Sequence, residues 1–341
     1  MKDVARVMGS AGHVRVAPGQ GNPSSAINHA QQKTRLGTWL TSLAQPHIAG
    51  LVVFVVYLIR ACLSPTGLHS TAFAYFDFLA DAFLHGQLNL RLAPPGDVDL
   101  VHHAGNTYLY WPPFPAIVVT PFVALFGVQI SDVLYTAVFA ALTIALLAKL
   151  LVVLDRTSIA PLTVERRAIL VATVAFGSVI LILAPVGRVW FTAQIIGWGC
   201  VLLATLAALT LRGKSAYFWT GLALACAMAT RNALIFNGVW LAFYLVQRDH
   251  QQPMRRLSLS VLAGIAPVAV TVVVLGWYNA ARFGSPLEMG LAWHAFDPIF
   301  AADFARYGVF NIHYLPTNLY YQFIAYPIVS SQVFYGGASS G

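Results

Sequence analysis

Hydrophobic positions in this chain come in long unbroken runs, not in the alternating or three-to-four spacing of a soluble fold. The first covers 48–63, and others cover 113–127, 131–154, 168–186, 193–211, 216–247 and 258–281. Several approach or exceed the roughly 20 residues that cross about 30 Å of hydrocarbon. Backbone in lipid must satisfy its own hydrogen bonds, so such runs fold as helices. The pattern predicts an all-α polytopic membrane protein with about seven to eight transmembrane helices.

The longest polar interruption is 64–111. Residues 1–45 are rich in Gly, Ser, Ala, Gln and Asn and carry Lys2, Arg6, Arg15, Lys33 and Arg35, which reads as a disordered cytoplasmic tail. A multi-span domain over 46–330 and an irregular C-terminus over 331–341 complete the division, and a chain stopping there reads as a fragment of a longer protein.

Composition strengthens the picture: 58% of residues are hydrophobic, 9% are charged, and the mean hydropathy is +0.69. An ordinary globular chain is about 25% charged. The net charge of +8 does not indicate nucleic-acid binding. The basic residues cluster in the tail and between apolar runs, where the positive-inside rule places cytoplasmic loops. Cys62, Cys200 and Cys226 lie in or beside apolar runs with no CxxC pair, so neither a disulfide framework nor a cysteine metal site is expected.

Charge also sets an orientation, that of a bacterial-type plasma (inner) membrane protein with its N-terminus inside. The 64–111 segment is then external, and the basic connections 155–167, 212–214 and 248–256 are cytoplasmic. This requires 216–247 to be a hairpin of two short helices turning near Thr230, Arg231 and Asn232, and 113–127 to be re-entrant. Arg188, Arg231 and the segment after Arg282 would then emerge on the external side.

Within the external loop, Phe73, Phe76, Ala80, Phe83 and Leu84 recur at helical spacing up to Gly86, predicting an amphipathic helix lying in the membrane interface. Asp77, Asp81 and His85 are four apart and share one stripe. Two carboxylates and an imidazole in line suit a divalent metal or a shared proton; equally, they make a solvated polar face. Alternation around Gly105 predicts a short hairpin, which would point His102 and His103 to opposite faces. Arg188 and Arg231 stand beside apolar helix ends, where a charge either snorkels or serves function. Arginine suits phosphate because its fork donates two parallel hydrogen bonds.

The order of several segments resembles the C-type glycosyltransferase superfamily, especially bacterial proteins like the dolichyl-phosphate-mannose protein mannosyltransferases. They are Leu79-Ala80-Asp81-Ala82-Phe83-Leu84-His85-Gly86, Trp111-Pro112-Pro113-Phe114-Pro115 leading to Leu125-Phe126-Gly127, Trp219-Thr220-Gly221-Leu222-Ala223 leading to Thr230-Arg231-Asn232, and Gly276-Trp277-Tyr278-Asn279 through Arg282 to Glu288. The likeness covers roughly 47–330. It implies a polyprenyl-phosphate-linked sugar as donor, transfer on the external face, and an acidic residue of the first external loop as general base. The family's usual Asp–Glu pair would fall near Thr71-Ala72, and its acidic–basic pair before Pro-Pro is here Tyr110-Trp111. The base role therefore passes to Asp81, Asp77 or Asp99, and Arg231, Arg282, Arg188 and His85 are the substrate-binding candidates. A transporter or lipid-binding protein without catalysis, or an inactive fragment of such a transferase, is the alternative.

Overall fold

The computed structural model describes residues 41–294, 298–308 and 311–325. Most of the expected tail, and everything after 325, lies outside them. Helices dominate. α1 (Pro46–Cys62) leads into a folded segment holding α2 (Tyr75–Leu84) and an antiparallel hairpin of β1 (Leu100–His103) and β2 (Asn106–Leu109). Then follow α3 (Phe114–Phe126), α4 (Asp132–Arg156), α5 (Val164–Phe176), the short α6 (Ile180–Leu183), α7 (Val189–Thr210), α8 (Gly213–Met228), α9 (Asn237–Asp249) and α10 (Met254–Phe283). Two shorter helices, α11 (Pro298–Tyr307) and α12 (Leu315–Phe323), close the described chain.

Local chemistry sets several boundaries. The Ser131 hydroxyl accepts from the Leu134 amide and caps α4, and Thr163 does the same for α5. α10 stops at Gly284, whose φ of 77° is the left-handed cap that glycine adopts without strain. Ala104 and Gly105 both have positive φ, as a two-residue hairpin turn requires.

The helices pack in series: α1 on α4, α4 on α7, α7 on α8, and α8 on α10, while α3 packs against α2. α8 and α10 meet at glycines, and a Cβ on Gly221 would lie 2.0 Å from the Gly264 carbonyl oxygen. Small residues let helix backbones approach this closely. α7 is central, with 72% of its most apolar window buried, whereas α10 buries 11% and turns Val270 and Val273 outward.

Among the described residues three helices, α4, α7 and α10, are long and apolar enough to cross a membrane, and α5 with α6 to Val186 makes a fourth, bent by 47°. The expected seven to eight spans are corrected by these lengths. The run at 216–247 divides at Thr230 and the 3-10 turn Asn232–Phe236 into helices of 16 and 13 residues, and α1 and α3 have 17 and 13. All four fall short of the roughly 20 residues a full crossing takes.

α2 corrects a second expectation. It is no interfacial helix with a wet face, because every residue from Tyr75 to Ala82 is buried. Its apolar face meets α3, and its acidic stripe is covered by the start of α4 and by Arg91.

The polar segments gather at one end of the bundle, here called the loop end. Thr71 binds Asp132 at the start of α4, the Phe114 amide donates to the Ala229 carbonyl at the far end of α8, and Arg282 at the end of α10 donates to the Leu109 carbonyl. Both ends of α3 are therefore tied to the loop end. The basic connections occupy the opposite end. There Arg167 pairs with Asp155, and Arg248 pairs with Asp249 at 3.0 Å and donates to the Ala208 carbonyl at 2.6 Å.

Candidate functional site

The loop end brings some of the sequence candidates together and separates others. Asp81 is gripped by Arg91, with Nε to Oδ2 and Nη2 to Oδ1 both at 3.0 Å. His85 stands 3.6 Å away, half exposed. Asp77 is fully buried; it accepts from the Tyr135 hydroxyl at 3.0 Å, and its Oδ2 has no partner. Burial, reinforced by the nearby Asp132 charge, pushes the Asp77 pKa well above the carboxylate range. The stripe is thus neither a solvated face nor an open ligand set. Among the described residues, no group of three or more His, Cys, Asp or Glu side chains converges for a metal.

Arg282 is also buried. Its guanidinium lies 3.7 Å from the Tyr278 ring centroid, donates to the Leu109 carbonyl at 2.7 Å and to Asn279 Oδ1 at 2.9 Å. It fastens the hairpin to the end of α10. His102 pairs with Asp97 at 2.9 Å, while His103 meets Trp293 in a tilted arrangement with centroids 3.9 Å apart.

Asp99 is differently placed. It precedes β1 with φ of 65°, a left-handed conformation costing a non-glycine residue about 1–3 kcal/mol. Trp190, in the first turn of α7, donates its indole N–H to Asp99 Oδ2 at 2.5 Å. His294 Nε2 lies 3.3 Å from Oδ1, delivered by an antiparallel bridge between Val101 and His294. The His294 imidazole, with the Trp190 indole as a further donor, holds the Asp99 carboxyl below the usual carboxylate range against its partial burial. The side chain remains 24% exposed. It is an ionised, oriented and accessible carboxylate.

Two arginines flank it through aromatic rings. On one side the Arg188 guanidinium lies 5.3 Å from the Phe73 ring, which is 5.2 Å from Trp190. On the other, Tyr110 meets His294 edge-on at 4.7 Å and Trp111 at 5.3 Å, and Arg231 stands 4.8 Å over Trp111. Neither arginine has a carboxylate partner among the described residues. Desolvation lowers the Arg231 pKa, opposed by the neighbouring Tyr110. Beside Arg231, Asn232 opens a groove of about 640 Å³ walled by Met228, Val272, Gly276, Trp277 and Leu287.

A chain of ring contacts therefore links Asp99 with Arg188 and Arg231, whereas Asp77, Asp81 and Arg282 are held in internal bonds. His294, Trp190, Arg91 and Asp132 were not among the sequence candidates. Asp132 alone left a signal, an acidic residue opening an apolar run beside the polar segment. Comparison with family models, curated proteins and solved structures returns no match to this chain.

Proposed function

We infer that this chain is a membrane glycosyltransferase that moves a sugar from a polyprenyl-phosphate donor to an acceptor hydroxyl on the extracytoplasmic side, with Asp99 as general base. The observation that carries the reading is the joint placement of an ionised Asp99, two uncompensated arginines and an apolar groove beginning next to Arg231. In this reading the Asp99 carboxylate takes the proton of the acceptor hydroxyl while that oxygen bonds to the anomeric carbon. The bond from the anomeric carbon to the phosphate oxygen breaks, and its electron pair leaves with the lipid phosphate. Arg231 and Arg188 receive that charge, a role suited to a guanidinium in a partly desolvated site. The isoprenoid tail lies in the groove and reaches it from lipid across the exposed face of α10. In this reading the loop end is outside, the basic end in the cytoplasm, and the chain in a bacterial-type plasma membrane.

The groove on its own also suits a lipid-binding protein without catalysis. One experiment separates the two. The full chain, reconstituted in vesicles with a polyprenyl-phosphate sugar, is assayed for release of polyprenyl phosphate. Turnover that Asp99→Asn lowers by about 10²–10⁴ supports transfer. Donor binding with no turnover in any acceptor mixture supports the lipid-binding reading, and turnover unaffected by Asp99→Asn removes Asp99 from its role.

A further inference from the structure

Arg188 stands in the left-handed region at φ 70°, directly before α7, and the preceding Gly187 also has φ 70°. What holds them there is the fully buried carboxylate of Asp132. Its Oδ2 accepts the Arg188 backbone N–H at 2.8 Å and the Thr71 hydroxyl at 2.6 Å, and its Oδ1 accepts the Thr71 N–H at 2.9 Å. A Cβ at position 187 would come within 2.9 Å of that same Oδ2, so the carboxylate and the glycine fit each other. The next amide, that of Val189, donates to the Phe73 carbonyl at 3.0 Å and ties down the main chain of the residue whose ring Arg188 covers.

The choice of partner matters. Asp132 binds the backbone of Arg188 and leaves the guanidinium without an ion pair among the described residues, and Arg188 Nε is buried with no hydrogen-bond partner. A carboxylate that served only to neutralise Arg188 would meet its side chain. This one sets the main chain and leaves a positive, donor-bearing group beside the ring that contacts Trp190, the donor to Asp99.

We propose that Asp132 is a positioning residue that locks Arg188 in its left-handed conformation and so presents an uncompensated guanidinium to a phosphate at the loop end. The identity of the anion rests on the lipid-phosphate reading given above; the lock itself does not.

Two measurements on the full chain in detergent test it. The first is ligand-independent: the rate at which phenylglyoxal modifies Arg188, followed by peptide mass spectrometry, with exposed Arg212 at the opposite end as reference. Asp132→Asn releases the Arg188 amide, and the Arg188 rate rises severalfold against an unchanged Arg212 rate. The second is affinity for farnesyl phosphate by calorimetry. Asp132→Asn and Arg188→Ala each weaken it by about tenfold, and Asp132→Asn adds nothing in the Arg188→Ala background, as expected of a residue acting through another. A merely structural aspartate would weaken binding in both backgrounds. An unchanged Arg188 modification rate, or additive losses, overturns the proposal. A changed rate in a protein that does not bind farnesyl phosphate upholds the lock and overturns the lipid-phosphate reading. Where Asp132→Asn yields no folded protein, Asp132→Glu, which keeps the charge and shifts it by one methylene, is read by the same two measurements.

Discussion

The Arg91 guanidinium closes on the Asp81 carboxylate through two parallel hydrogen bonds of 3.0 Å each. This fork ties the stretch that follows α2 back onto the helix. Asp81→Asn should lower the melting midpoint by a few degrees while sugar transfer, measured on the protein that remains folded, stays near wild type. Loss of transfer at an unchanged midpoint would instead make Asp81 the base.

Asp99 presents the opposite balance. Glycine relieves its left-handed backbone but loses the contacts with Trp190 and His294, so Asp99→Gly should leave thermal stability near wild type while transfer falls by about 10²–10⁴. A variant that is both less stable and fully active would show that the carboxylate serves the fold.

The pH dependence follows from the same residue. The proposed base must be ionised, and the Asp99 pKa is depressed, chiefly by His294, so on that proposal the acid limb of the rate profile should lie below the ordinary carboxylate pKa of about 3.9. Its stabilising contribution is present above the unfolded value and is lost as pH falls through the folded one. His294→Gln should move the acid limb of the rate upward, and an unmoved limb would dissociate His294 from Asp99.

Asp77 carries the reverse sign. Burial raises its pKa, so its contribution to stability is complete below the unfolded value and is lost as pH rises through the folded one. Asp77→Asn keeps a neutral acceptor for the Tyr135 hydroxyl. Its melting midpoint should therefore be less sensitive to rising pH than that of the wild type, which a pH series of melts will decide.

Arg282→Ala removes the donor to the buried Leu109 carbonyl and should destabilise the chain by about 1–3 kcal/mol, with the β1–β2 hairpin the first segment to become protease-sensitive. Intact stability with weakened phosphate binding would return Arg282 to the ligand.

Much of the architecture was legible because apolar run length and charge clustering are local properties. The break at Arg231 and the gathering of Arg188, Arg231 and Arg282 at one end follow from them, and the hairpin at Gly105 follows from the equally local alternation around a turn. The number of full-length spans did not, since hydropathy averages across the short helices that a single arginine or a 3-10 turn divides. Within the site, residue type alone could not rank Asp77, Asp81 and Asp99. Their difference lies in partners distant in sequence: Tyr135 buries one, Arg91 occupies another, and Trp190 and His294 orient the third. Helical spacing grouped Asp77 with Asp81 correctly as neighbours on α2, but what covers that face is decided by the start of α4 and by Arg91.

The meeting of Gly221 with Gly264 has a mechanical side. From that pinch α8 and α10 run on toward the loop end, where Met228 of one and Val272 of the other line the same groove. The two glycines thus act as a vertex for two arms, between which the proposed reading seats the hydrocarbon tail. A single methyl at the vertex, Gly221→Ala, should cost about 1–3 kcal/mol of packing and splay the arms, so its effect would be felt as altered tolerance for chain length and branching in the lipid, far from the atom that was added.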